Sequence, residues 1–567
     1  MMKRNKVYRN IILLSILLMS GSLVAQTVPV NMPVLSDYYR VEQLMGKVNP
    51  DISFTAMPFF PKEALKIQNS FDPDSTLKQD SFFKFSGRMP LGKKGGYIQL
   101  MPVTWQQQFN THHPEGINDG TMIPARGYQT LFSAGIYAQY GPLSIQLMPE
   151  IDYANNTPFA GFPVSYSDEV WAQYYWHLNT IDIPERFGNG SYSKINWGQS
   201  SIRLTFGAVS LGLSNENLWW GPGLRNDLIM TDNAPGFKHL TFNTVRPVKT
   251  VIGSFEWQLI AGRLENSGFL PPQSTRTFNG GVLYSPKPDE WRYLSGLLLT
   301  YNPKWVPGLF MGFARTVQSY HKNVGVNLVD YFPVFSPLGL DAAGGDAKIA
   351  KQQQQLYSVF ARWLWKKAHG EVYFEYGWSN YYWDVRDLEV QLPHSGAFVL
   401  GFRKLIPLKL HKDEYISAMM EFTQLAMNST TIARGGSSWY LSGVVPAGYT
   451  NEGQYLGAGI GQGSNLQTLE VQWVKSLKSI GLRVERYVHD NDFFYLYIKD
   501  IRRNWVDISA SLLGTWPYKN LLFNAQLEWV KSMNYEWQFT PPPAPAYWGP
   551  GLDVKNYHLS LGVTYRF

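Results

Sequence analysis

NYHLSLGVTYRF, residues Asn556 to Phe567, is the stretch whose reading decides the fold. Tyr557, Leu559, Leu561, Val563, Tyr565 and Phe567 are apolar or aromatic, while His558, Ser560, Gly562, Thr564 and Arg566 fill the positions between them. A period of two puts successive side chains on opposite faces of a β-strand, here one apolar face and one polar face. A long strand of this kind, ending on a terminal aromatic, suits a wall with lipid on one side and a polar interior on the other. Weaker versions recur upstream, at Ile202, Leu204 and Phe206, at Phe255, Trp257 and Leu259, and at Ala525, Leu527 and Trp529.

Composition agrees. Of the 567 residues 15% are aromatic and only 16% charged, and mean hydropathy is -0.22. Past the first 26 residues no apolar run approaches the roughly 18 residues a membrane helix needs, so strands are the expected spanning elements. The expectation is an all-β membrane protein, a closed antiparallel transmembrane β-barrel of about 18 strands over residues 95–567, at roughly 26 residues per strand and its share of connections. Residues 1–26 place Lys3, Arg4, Lys6 and Arg9 before the apolar run Ile11 to Met19 and then Ala25, which reads as a signal peptide for export. Removing those four cations from the net charge of +7 leaves +3, too little to point to a nucleic-acid partner. No cysteine is present, which excludes disulfides, thiol nucleophiles and cysteine-bound zinc. Residues 27–94 read as a periplasmic segment with short helices, one in DYYRVEQLMGKV (Asp37 to Val48) behind a Ser36 or Asp37 cap and one in KEALKIQN after Pro61.

WGPGL occurs twice, at Trp220 to Leu224 and at Trp548 to Leu552. Pro fixes φ and the flanking glycines open conformations closed to other residues, so each copy pins an indole on a turn. If Phe567 ends in the periplasm, Trp548 belongs to the last external loop. The interval Ser214 to Thr250 reads as an external or inward-folded loop, and the Gly-rich stretch around Gly435 to Gly463 as another long external connection.

Catalytic signatures are scarce. HHPEG at His112 lacks the H-E-x-x-H spacing and reads as a polar loop without metal; GAGIGQG at Gly457 does not meet G-x-G-x-x-G; no G-x-S-x-G elbow occurs. Asp384 and Asp387 read as loop or interior charges rather than a glycosidase pair. The first WGPGL block differs. Around Trp219, Trp220, Gly221, Pro222 and Gly223 it gathers Arg225, Asn226, Asp227, Asn233 and His239, and an indole beside planar polar groups is what a pyranose needs for its apolar face and its hydroxyls. The alternative is that the tryptophans pack the loop inside and the polar groups satisfy buried backbone.

DYYRVEQLMGKV, LSNENLWWGPGLRNDLIMTDNAPGFKHLTFNT, IGSFEWQLIAGRLENSG and GQYLGAGIGQGSN, in that order, resemble the capsule assembly protein Wzi family in its Bacteroidetes-type form. The resemblance implies an outer-membrane barrel acting as a lectin that holds capsular or other surface polysaccharide, with no cofactor and no catalysis. Its partners would be the glycan, outer-membrane lipid and the barrel assembly machinery, which reads C-terminal signatures such as Tyr565 and Phe567. On this reading Trp219, Trp220, Arg225, Asn226, Asp227, Asn233 and His239 serve the sugar, while Trp548, Gly549, Pro550 and Gly551 form a turn that closes the barrel. The alternatives left open are a passive channel and, third, a barrel enzyme.

Overall fold

The computed structural model describes all residues except 1–25, 68, 74–76, 78–86, 93–94, 339–351, 380–384, 410, 412, 433–434 and 550. The signal-peptide reading of 1–26, Asp384 and Pro550 therefore fall wholly or largely outside the described residues.

One large antiparallel sheet makes up the fold. Each long strand pairs with the next in chain order, and the final one, Val554–Tyr565, lies between Leu521–Met533 on one side and Val103–Asn110 on the other, with Tyr565 opposite Val103 and His558 opposite Asn110. The faces alternate as the C-terminal stretch predicts. In Ser201–Phe206, Ile202, Leu204 and Phe206 are 49%, 42% and 45% exposed on the outward face, whereas Arg203 and Thr205 on the inward face are 1% exposed. An apolar outside and a polar inside reverse the arrangement of a water-soluble sheet.

Connections at the two ends of the sheet differ in length. Tyr140 to Leu143, Phe206 to Val209, Lys475 to Lys478 and Tyr518 to Leu521 are joined by two residues each, at the same end as Phe567. At the opposite end the connections are long: 111–126, 155–191, 215–238, 425–464, 489–505 and 534–553. The interval Ser214 to Thr250 is not all loop. His239–Thr244 is a strand paired with Val209–Ser214 and with Gly253–Leu264, and its alternation, Leu240 and Phe242 outward and His239, Thr241 and Asn243 inward, is the same period of two.

The N-terminal segment docks against the inward face. Its main helix is Pro33–Leu44, starting earlier than the sequence reading placed it: Pro33 sits in the first turn, where its missing N–H costs nothing, and Met32 rather than Ser36 or Asp37 is the cap. Pro61–Leu65 forms the expected second helix. Val41 and Leu44 pack on Phe310, Leu364 and Leu405 near the short turns. Arg40 Nε bonds both oxygens of Glu371, at 3.0 and 3.1 Å, and Arg362 (2.6 Å) and Arg403 (3.0 Å) bond the same carboxylate. Three guanidiniums around one buried carboxylate fix how the helix seats, because leaving any of these charges unpaired away from water is costly.

Candidate functional site

The first WGPGL turn lies against the inward face of the sheet. Connection 215–238 leaves Ser214, folds inward and meets the N-terminal segment, where Trp219 and Trp220 pair with Met57 and Ala56 in a two-residue ladder. Trp220 is fully buried: its Nε1 donates to Gln258 Oε1 at 2.7 Å, and its ring packs among Leu228, Ile260, Leu294 and Leu298. Gly296 makes the room, since a Cβ there would stand 2.7 Å from the indole Cη2. The two glycines of the turn have the same kind of cause. A Cβ on Gly221 would meet Asp227 Oδ1 at 2.3 Å and one on Gly223 would meet the Asn226 carbonyl at 1.8 Å, so the chain can fold tightly enough for the Gly223 N–H to reach Asp227 Oδ1 at 2.9 Å.

The rest of the turn is tied to the walls. Backbone N–H groups of Leu224, Arg225 and Asn226 converge on the Glu421 carboxylate at 2.7 to 3.2 Å, a small anion nest. Arg225 grips Glu485 with two parallel bonds of 2.9 Å. The Pro222 carbonyl accepts from Arg40 at 2.8 Å, and Leu228 N–H donates to Glu375 at 2.8 Å. Burial alone would raise the Glu216 carboxyl, but the adjacent Arg203 guanidinium and the hydroxyls of Thr27 and Ser214 hold it below its ordinary value. Asp227 goes the other way, pushed well up by burial and by the neighbouring Glu375 and Glu421 carboxylates against the pull of the Gly223 N–H.

Most of the residues that the sequence assigns to the sugar are placed inside, away from the surface. Trp220, Asn226 and Asp227 are at 0% exposure, Arg225 is spent on Glu485, Asn233 binds the Tyr455 carbonyl and the Asn118 N–H, and His239 sits on a strand with Nδ1 on the Phe237 carbonyl. Trp219 alone of the pair is half-buried. Arg225, Asn233 and one nitrogen of His239 are bonded within the protein, whereas the Asn226 side-chain amide has no partner among the described residues and lies buried. The Gly-rich connection 425–464 also turns inward: Trp439, Tyr440 and Tyr449 are buried, and Tyr440 donates its hydroxyl to the Leu228 carbonyl, joining the two loops in one core. A cavity of about 70 Å³ remains beside Arg225 and Glu485, bordered by Asp119, Glu528 and His558. A volume of that size has room for a few waters but not for a sugar. Asp119 beside it is pushed up to about 6, by burial above all, with the Gln108 bond opposing.

The second WGPGL turn is outside. Over the long-connection end, Phe162, Trp171, Tyr175, Phe493, Phe494 and Trp537 pack into an aromatic roof. From it project Trp548 at 63% exposure and Tyr547 at 55%, their rings 5.4 Å apart and nearly perpendicular. The Arg502 guanidinium lies 5.1 Å from the centroids of both Tyr547 and Phe539 and is held flat by a two-bond pair to Asp500, at 3.0 and 2.9 Å. Gly551 lets the chain return, since a Cβ there would stand 1.9 Å from Asn534 Oδ1, and Gly549 lies against Pro542. Tyr495 and Trp176 are exposed on neighbouring connections at the same end. Tyr547, Arg502, Tyr495 and Trp176 escaped the sequence reading; the available signal was an aromatic pair following the stiff PPPAPA run.

The family model for capsule assembly protein Wzi matches residues 111–536. Among solved structures the chain is similar to Wzi of Escherichia coli, described as an outer membrane protein involved in group 1 capsule assembly and a carbohydrate-binding β-barrel; identity is 12%, coverage 96% of this chain and 100% of that one, and the TM-score 0.60. OprD of Pseudomonas aeruginosa matches at 8% identity over 86% of this chain and 98% of that one, with a TM-score of 0.37. No curated protein matches. The family model covers most of the chain, and the chain belongs to the capsule assembly protein Wzi family.

Proposed function

We propose that this protein is a closed outer-membrane barrel of about eighteen strands that binds capsular or other surface polysaccharide on its external face and so helps anchor or assemble it. The barrel reading is supported by the pairing of the last strand with Val103–Asn110 and by the outward row of exposed apolar side chains. The short turns and Phe567 then face the periplasm, and the N-terminal segment plugs that end. The long connections face outside.

The observation that carries the glycan reading is the exposed pair Tyr547 and Trp548 on the roof, with the half-buried Arg502 against Tyr547. Two aromatic faces at a right angle, steadied by a guanidinium that is paired to Asp500, offer stacking for a pyranose. A filled interior speaks against the passive channel, because the inward loops bond to opposite walls through Gln258, Glu375, Glu421 and Glu485.

The test is a Tyr547→Ala/Trp548→Ala double variant, first checked for the heat-modifiable gel mobility of a folded barrel. Stacking on an aromatic is worth about 1–3 kcal/mol, so cell-attached capsule should fall, with roughly tenfold or greater loss of affinity for the purified glycan. Capsule retained at the parental level by a correctly folded double variant would overturn the assignment. Planar-bilayer recordings should show near-silent conductance, and porin-like conductance would favour the channel.

A further inference from the structure

The pair His112 and His113, set aside as a loop in the sequence, is built into the structure with unusual rigidity. Asn556 of the last strand accepts bonds from the Thr111 N–H, the Thr111 hydroxyl and the His112 N–H, at 2.8 to 3.0 Å, and its amide donates to the His113 carbonyl at 3.2 Å. The two imidazoles share an Nδ1 to Nδ1 bond of 3.1 Å, and the His113 ring lies on Tyr535 with centroids 4.9 Å apart. Both the ring plane and one nitrogen of His113 are thereby fixed.

The other nitrogen has no hydrogen-bond partner. His113 is 4% exposed and its buried Nε2 points towards Glu115, whose carboxylate oxygen is 3.7 Å away, too far for a bond. The chain then brings in a group 392 to 394 positions distant, Asp507, at the start of strand Val506–Tyr518. Asp507 is itself oriented from behind, with Oδ2 on His489 Nε2 at 2.7 Å and Oδ1 on Trp505 Nε1 at 3.0 Å. One ligand atom from each of His113, Glu115 and Asp507 lies within 4.8 Å of the other two. Glu115 and Asp507 also border the polar cavity, which supplies room for water.

We propose that His113, Glu115 and Asp507 form a binding site for a divalent transition-metal ion of the zinc type, with water from the cavity completing the coordination. An imidazole nitrogen with two carboxylates is a mixed nitrogen and oxygen donor set that suits Zn²⁺, whereas Ca²⁺ takes six to eight oxygens, more than this site presents. At metal-ligand bonds of about 2.0–2.1 Å, tetrahedral donors stand about 3.4 Å apart. His113 and Glu115 are already near that spacing, and a ligand oxygen of Asp507 stands within 4.8 Å of both. With the Nδ1 proton on His113 donated to His112, Nε2 presents its lone pair to the ion. This is the outer-sphere arrangement that fixes a metal-binding tautomer, and His489 does the corresponding work for Asp507. The ion would tie connection 111–126 to the root of connection 489–505, and so brace the roof from below. The inference does not depend on the glycan reading.

The test uses the untagged full chain, purified folded in detergent, stripped with a chelator and titrated with zinc chloride or calcium chloride alone. One zinc per chain should remain after gel filtration, calcium should not compete at equal concentration, and the temperature of the heat-modifiable transition should rise with zinc. His113→Ala/Asp507→Asn should abolish stoichiometric zinc while keeping the folded mobility. His489→Gln should weaken zinc binding roughly 10–100-fold without abolishing it. Zinc content in the parent no higher than in the double variant, or calcium binding as tightly, overturns the proposal. If the double variant fails to fold, Glu115→Gln decides: parental zinc affinity in that variant overturns it as well.

Discussion

Replacing Trp220 by Ala should cost stability on a scale that no change at Trp548 approaches. The Trp220 indole is fully buried and its Nε1 satisfies Gln258. Emptying such a site costs about 3–5 kcal/mol for the lost contacts and residual cavity. Leaving Gln258 Oε1 unpaired adds about 1–3 kcal/mol, less whatever water recovers. The neighbouring Gly296 has no side chain to move into the gap. At 1.4 kcal/mol per tenfold, even 4 kcal/mol is close to a thousandfold in the folding equilibrium. Trp548 is 63% exposed, and its replacement should stay within about 0.5 kcal/mol. The assay is urea unfolding of the refolded protein in detergent, read by gel mobility and circular dichroism, on both variants and on Gln258→Leu as a check on the hydrogen-bond share. If Trp220→Ala unfolds within 0.5 kcal/mol of the parent, or Trp548→Ala loses as much, then the inward loop is not the packed plug described and the roles of the two turns must be exchanged.

Glu371→Gln removes the one carboxylate shared by Arg40, Arg362 and Arg403 and should destabilise by about 3–5 kcal/mol, with the N-terminal helix the first region exposed to limited proteolysis. Deleting Phe567, whose ring lies 5.0 Å from Tyr565, should reduce the amount of assembled protein in the outer membrane on immunoblots, and normal levels would remove the assembly role of that residue. Lys62, in the short helix Pro61–Leu65, is pulled down from its ordinary 10.5 to about 8, by burial first and then by Arg88, with Glu63 opposing. The unfolded chain keeps that proton to higher pH than the folded one, so stability should rise as pH goes from about 8 towards 10.5. Lys62→Met should flatten that part of the profile relative to the parent in pH-dependent unfolding.

The sequence by itself determined the kind of wall this protein builds. Alternation is a local property: His558 must face away from Tyr557 and Leu559 whatever the rest of the chain does, and the structure has His558 buried inward and Tyr557 exposed outward. The same rule is legible in HLTFNT, yet the polar and Gly-rich setting around it reads as loop, whereas His239–Thr244 is a strand. What lies inside the wall was decided only by tertiary structure. Both WGPGL turns carry the same local chemistry, and nothing in five residues tells whether the indole will meet Gln258 and Ile260 or open solvent. That depended on the inward fold of connection 215–238, on Ala56 and Met57 arriving from the N-terminal segment to pair with it, and on Glu421 and Glu485 waiting on distant strands to take its N–H groups and its arginine. These partners are 160 or more residues away in the chain. A local pattern sets which face a side chain takes, but the groups that bond the backbone and the arginine of a buried polar loop come from distant strands rather than from the neighbours in sequence.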